Sequence, residues 1–238
     1  MNLDKLDHRD DELDHRKKVF LASRNAKKLA EMERILREHL PSVRVVGLED
    51  VPAYDEPVED EPTFAGNALL KARAGVAATG LPTIADDSGL CVDALNAMPG
   101  VLSARWAGPP TLRAHSSLAT SGTERSLVPR DDRDARNNEL LLDQLSDVPD
   151  DRRGAHFVCA VACCHPDGRE LVVQGRMDGT IIRETRGSGG FGYDVLFVAD
   201  ERPGVTTAEL FVSDKDAISH RGHALREIAP GVAALLTS

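Results

Sequence analysis

Long apolar runs are missing from this sequence, and with them a membrane-spanning helix: no stretch approaches the roughly 20 residues that a span needs. The start of the chain also lacks the apolar core of a secretory signal. Positive charge is in deficit. With 29 Lys and Arg against 39 Asp and Glu, the formal charge is -10, which argues against general nucleic-acid affinity. A small anion held in a local basic pocket stays open, because net charge says little about one site. Cysteine is sparse. Cys91, Cys159, Cys163 and Cys164 contain no paired Cys-x-x-Cys framework, so zinc at Cys163, Cys164 and His165 is disfavoured against buried thiols acting as small apolar groups. A reducing cytoplasm is the expected compartment. Aromatic residues make only 4% of the chain, so two of them in one loop stand out below.

What is present is an ordinary globular composition, 41% hydrophobic and 29% charged, long enough for one large domain or two small ones. The stretch Ile84-Ala85-Asp86-Asp87-Ser88-Gly89-Leu90 organises it. A short apolar run leads into adjacent carboxylates, which suggests a strand whose C-terminal end delivers acidic groups to a ligand cleft. Neighbouring carboxylates repel, and a bound cation would keep both ionised; magnesium, arriving with phosphates, is the hard-ligand candidate. The same residues also form ordinary solvated turns.

Residues 1–18 read as a disordered, highly charged extension. Val19 to Ala22 reads as a buried strand, and Ser23 to Lys28 as a loop entering a helix with Leu29, Met32, Ile35, Leu36 and Leu40 on one face. Free amides at such a helix start favour an anion, and Lys28 adds a point charge. Val43 to Gly47 is a second strand, and Glu49 to Pro62 an acidic, proline-bearing loop in which Glu59 could reach a metal. Thr63 caps a helix to Thr79 that carries Lys71. Leu90 to Leu95 alternates like a strand, and 109–134 lacks hydrophobic period and reads as a mobile insertion, with a helix resuming over Asn137 to Leu145. Strands at Ala155 to Cys164 and Leu171 to Gly175 flank a hairpin signal. In Arg186 to Asp194 four glycines permit close ligand approach, while Phe191 and Tyr193 offer flat faces and Asp194 offers acceptors to a base. Ala217 to Ala229 reads as a helix with Lys215, His220 and Arg221 clustered near its start, where an anion could bind.

Six runs in this order resemble the inosine/xanthosine triphosphate pyrophosphatase family: Ser23-x-Asn25-x-x-Lys28, Thr63-Phe64-x-x-Asn67-Ala68-x-x-Lys71-Ala72, Ala85 to Leu90, Pro99-Gly100-x-x-Ser103-Ala104-Arg105, Gly189 to Asp194, and Ser219-His220-Arg221-Gly222-x-Ala224-Leu225. The resemblance implies an α/β fold, elongated and two-lobed, with a long mixed sheet flanked by helices and a central substrate cleft, formed by residues 19–238 as one domain and assembled as a homodimer. It implies Mg²⁺-dependent hydrolysis of ITP, dITP or XTP to the monophosphate and pyrophosphate, with no nucleic-acid or membrane partner.

By the same resemblance Asp87 is the catalytic carboxylate, and Asp87, Asp86 and Glu59 are metal ligands. Substrate contacts fall on Ser23, Arg24, Asn25, Ala26, Lys27 and Lys28, on Lys71 and Ser88, on the base platform Phe191, Gly192, Tyr193 and Asp194, and on Lys215, His220 and Arg221. Donors from His220, Arg221 or a backbone amide would favour a 6-oxo over a 6-amino purine. Gly66 stands where the family usually has Glu, Arg24 where it has Gly, and Val195 where it has Pro. The Gly66 departure leaves open a nucleotide-binding protein with weak or lost turnover; a related pyrophosphatase with a similar cleft, for modified or pyrimidine nucleotides, is the other alternative.

Overall fold

A computed structural model describes residues 18–23, 26–39, 41, 43–108 and 130–237. In chain order the elements are β1 (Lys18–Leu21), α1 (Ala26–His39), β2 (Arg44–Val46), α2 (Phe64–Thr79), β3 (Thr83–Val92), β4 (Met98–Pro99), α3 (Arg130–Gln144), β5 (Gly154–Cys164), β6 (Glu170–Ile181), β7 (Phe197–Ala199), α4 (Val212–Ile218) and α5 (His220–Thr237). The strands form one seven-stranded mixed sheet in the order β2-β1-β3-β5-β6-β7, with β4 added on β3. β1 runs parallel to β2 and β3, whereas β4 on β3 and β7 on β6 are antiparallel. Helices flank this sheet, so the α/β class expected from the sequence holds. Among the described residues, no helix is long and apolar enough to cross a membrane.

The chain divides into two compact units. The first takes the chain up to Gly89 with Phe157–Met177 and Phe211–Ser238; the second takes Leu90–His156 and Asp178–Leu210. In the first unit, strand alternation creates two cores. Val19, Leu21, Ile84, Cys159, Val161 and Cys163 point toward α1 and α5, meeting Met32, Ile35, Leu36, Leu225, Ile228 and Val232. Their neighbours Ala85, Ala160, Ala162 and Cys164 point the other way, onto Ala68 and Ala72 of α2. Small side chains there bring α2 close: a Cβ on Gly75 would lie 2.5 Å from Thr83 Cγ2. All four cysteines are buried free thiols, as expected from their apolar setting.

Capping follows the sequence. Thr63 Oγ1 accepts the Gly66 N–H at the start of α2, and Gly80, at φ 68°, closes its end with an N–H to Val76 O. At the other end of the chain the expected single helix is broken. Ser219 adopts an extended conformation between α4 and α5 and accepts the Gly222 N–H on its hydroxyl, so α5 starts afresh at His220.

In the second unit the guanidinium of Arg153 is buried and donates to Leu145 O, Ile181 O and Ile182 O at 2.6, 2.8 and 3.1 Å. It ties the end of α3 to the β6 terminus. Two further expectations change. The run read as a short strand, then an acidic turn, then another strand is one ten-residue strand, β3. The helix expected from Asn137 begins at Arg130, inside the segment assigned to the insertion. Residues 1–17 and 109–129 of the expected extension and insertion lie outside the described residues.

Candidate active site

Because β3 continues through Asp86 and Asp87, the two carboxylates leave the strand on opposite faces. Asp86 follows Ile84 toward α1 and α5; Asp87 follows Ala85 toward α2. The expectation that the strand ends at these carboxylates is therefore corrected, although Lys71 still feels the charge of both. The Ser88-Gly89 pair reads as a turn, but here it is extended backbone in mid-strand. Each aspartate makes its own hydrogen bonds, with the charge of Lys71 acting on both.

On the α2 face, Asp87 Oδ2 accepts from Asn67 Nδ2 at 3.0 Å and Oδ1 accepts from the Ser88 N–H at 3.1 Å. Lys71, one helical turn beyond Asn67, brings its Nζ to 3.8 Å from Asp87 Oδ1 and 2.7 Å from Glu59 Oε1. Burial raises the Asp87 carboxyl above its ordinary pKa, and Glu59 adds to this against the opposing pull of Lys71 and Asn67. Burial also acts to depress Lys71, but Asp86, Glu59 and Asp87 together outweigh it and hold the amine more basic than usual.

On the other face the Asp86 carboxylate is buried, with Lys28 Nζ at 2.9 Å and Arg221 Nε at 3.2 Å from Oδ2. Ser88, two residues on and so on the same face, accepts from Arg221 Nη2 at 3.0 Å and Lys28 Nζ at 3.4 Å. Burial pushes the Asp86 carboxyl up, yet Lys28, Arg221 and Lys71 prevail and hold it well below the usual carboxylate range. Asp86 thus organises two cations from distant parts of the chain.

His220 and Arg221 occupy the first turn of α5. Their backbone is pressed onto β6, where a Cβ on Gly175 would lie 2.0 Å from His220 O. The His220 ring stacks on Phe157 at 4.9 Å and 13°. Burial, then Arg221, Lys215 and Lys28, push its pKa well below the ordinary value, so the ring is neutral. Among the described residues its Nδ1 has no hydrogen-bond partner. Of the two side chains expected to face the base, Arg221 is committed to Asp86 and Ser88, whereas His220 keeps an unpaired polar atom.

Ser23 lines a cavity of about 590 Å³ with Leu29, Gly47 to Asp50, Pro52 to Tyr54 and Glu56. Arg24 and Asn25 lie outside the described residues. Ala26 and Lys27 open α1, and only their backbone is described.

The second unit holds the expected base platform, and its polar groups turn inward. Tyr193 is 4% exposed and donates its hydroxyl to Ser103 O at 3.0 Å. Asp194 accepts the Phe191 N–H on Oδ2 and the Thr207 hydroxyl on Oδ1, both at 2.8 Å. The expected acceptor for a base is therefore spent on holding the loop, and of the two aromatic faces only Phe191 is partly open. The loop is braced by α3: Gly192 N–H donates to Asp134 Oδ2, and Asn138 Nδ2 donates to Gly192 O.

Asn67 was legible only as a motif letter. Its spacing of four from Lys71 is the signal that puts both on the helix face toward Asp87. Among the described residues, no group of three or more His, Cys, Asp and Glu side chains converges closely enough to hold a metal by itself.

The sequence profile of the Ham1 family matches residues 19–230. The chain belongs to the Ham1 family. Within this family it is 56% identical over 219 residues to the dITP/XTP pyrophosphatase of Nocardia farcinica, covering 92% of this chain and 96% of that one. It is 50% identical over 224 residues to the dITP/XTP pyrophosphatase of Corynebacterium efficiens, covering 92% and 98%. The crystal structure of the nucleoside-triphosphatase, dITP/XTP pyrophosphatase, from Mycobacterium abscessus superposes with a TM-score of 0.66 at 51% identity, over 90% of this chain and 99% of that one. A HAM1 protein from Coxiella burnetii gives 0.72 at 35% identity, over 91% and 98%.

Proposed function

We propose that this chain hydrolyses ITP, dITP and XTP to the monophosphate and pyrophosphate, removing deaminated purines from the cytoplasmic nucleotide pool. One observation carries the reading: β3 divides two aspartates between tasks, Asp87 beside an amide and a lysine, Asp86 beneath Lys28 and Arg221. The names of the Nocardia farcinica and Mycobacterium abscessus relatives support the substrate class. The homodimer of this proposal is supported by the sequence resemblance alone.

Asp87, with its raised pKa, takes the proton of a water attacking the α-phosphorus. A bond from that water oxygen to the α-phosphorus forms, the bond from the α-phosphorus to the bridging oxygen breaks, and pyrophosphate leaves with that oxygen. Lys28, Arg221 and Lys71 present positive charge to the phosphate oxygens. Glu59 and Asp87 both reach the Lys71 ammonium, so two carboxylates already converge where a cation sits; that donor set fits one Mg²⁺ completed by substrate phosphates. When bound, the ion would neutralise charge on the phosphates. Asp86 does not fit that role, because its carboxylate serves Lys28 and Arg221 on the opposite face.

Pyrophosphate release from ITP, dITP, XTP, ATP, GTP and dTTP, with and without Mg²⁺, tests the proposal. The expected result is Mg²⁺-dependent turnover of the 6-oxo substrates lacking a 2-amino group, little with ATP or GTP, and a loss of about 10²–10⁴-fold in Asp87→Asn. Equal turnover of ATP and ITP would refute the substrate class, and an active Asp87→Asn would refute the base.

A further inference from the structure

We infer that Asn67 is a positioning residue that fixes the Asp87 carboxylate and couples it to the acidic loop before α2. The inference rests on the proposed hydrolysis for its catalytic meaning, but its geometry stands alone. Asn67 is fully buried in the first turns of α2. Its Oδ1 accepts the Glu61 N–H at 3.1 Å, while its Nδ2 donates to Asp87 Oδ2 at 3.0 Å. A flipped amide would set oxygen against carboxylate and NH₂ against N–H, so the two bonds fix each other's sense. The Ser88 N–H holds the remaining oxygen of Asp87, which leaves that carboxylate little rotational freedom.

The clasp needs room at Gly66. A Cβ there would lie 2.8 Å from Glu61 Cβ and 3.0 Å from Glu61 Oε2, so any side chain at 66 displaces the folded-back Glu61. Glu59, two residues earlier on the same loop, meets Lys71 at 2.7 Å. Glycine at this position leaves room for the Glu61 side chain, beside the backbone N–H that Asn67 holds.

The two hydrogen bonds have opposite polarity, and this supplies the test. Asn67→Asp keeps the shape and the acceptor for Glu61 N–H but replaces the donor to Asp87 with a like-charged oxygen. Asn67→Ala removes both bonds. If Asn67 positions Asp87, both variants lose about tenfold to hundredfold in kcat for dITP, with KM within about threefold of wild type. Gly66→Ala loses kcat in the same direction. Wild-type kcat in Asn67→Asp, with loss only in Asn67→Ala, would reduce Asn67 to a loop tie and overturn the inference. A second arm is independent of turnover. The Asn67 side-chain amide resonances should shift in Asp87→Ala by NMR, and unchanged resonances overturn the clasp even if the protein proves inactive. A wild type without turnover but with that shift would sink the proposed function and keep the geometry.

Discussion

Replacing Asp86 by asparagine keeps the shape of the side chain and deletes a negative charge shared by Lys28 and Arg221. Asp86 and Arg221 side chains are each 2% exposed and Lys28 is 17% exposed, so water cannot replace what is lost. Two unit charges about 4 Å apart interact by about 4 kcal/mol at an effective dielectric of 20. Removing one partner of a buried ion pair costs about 3–5 kcal/mol, because the other charge stays buried. For a chain of this size that corresponds to about 6–20 °C in melting temperature. Urea denaturation of Asp86→Asn, Arg221→Met and the double variant measures it. The double variant should be more stable than the sum of the singles predicts, since removing Arg221 relieves the stranded cation.

Anion binding gives the complementary readout. Asp86→Asn leaves the Lys28–Arg221 pair more positive, so inorganic pyrophosphate should stabilise the variant more than wild type, with linkage worth about 2.7 kcal/mol at one hundred times Kd. Acid should remove the same stability. A carboxyl depressed in the folded state contributes fully above its unfolded pKa of about 3.9, and its contribution is lost as pH falls below that value. A loss under 1 kcal/mol in Asp86→Asn, or no difference in pyrophosphate stabilisation, would refute the assignment of Asp86 as the organiser of the two cations.

Three further outcomes follow from single contacts. His220 is buried and neutral, so the unfolded chain binds its proton first; stability should fall by about 1 kcal/mol between pH 6.5 and 5.5, and His220→Phe should flatten that slope in denaturation curves. Arg153→Met strands the carbonyls of Leu145 and Ile181 and should cost about 3 kcal/mol, seen as faster hydrogen exchange at the end of α3 and in β6. Gly175→Ala drives a Cβ into His220 O, so α5 must shift; pyrophosphate affinity should drop with Arg221 displaced, measured by calorimetry, while Gly168→Ala in the hairpin turn leaves it unchanged.

The sequence carried the periodic elements well and the site only partly, and the reason differs from place to place. α1 and α2 were legible because Met32, Ile35 and Leu36, or Ala68 and Ala72, recur at helical spacing against a sheet. The start of α3 was hidden because Arg130 to Glu139 is polar apart from Ala135, and the second-unit contacts that hold it, through Asp134, Asn137 and Asn138, leave no periodic trace. Tyr193 and Asp194 were visible as chemistry but not as commitments. Ser103 and Thr207, the groups that take them, lie elsewhere in the chain, and spacing says nothing of such pairings.

The aspartates make the sharper case. Their adjacency reads as one acidic site only if the chain turns there; in a strand, adjacency guarantees divergence. Once β3 is extended through Ser88, parity alone assigns the partners. Even-numbered Asp86 and Ser88 share the face of Ile84 with Lys28 and Arg221, and Asp87 shares the face of Ala85 with Asn67 and Lys71. A one-residue slip in β3 would exchange these sets, putting Asp87 under two cations and Asp86 beside Asn67. Register in this strand is pinned by its burial on both faces, Ile84 in one core and Ala85 in the other, so the packing that stabilises the sheet also decides which aspartate lies beside Asn67 and Lys71.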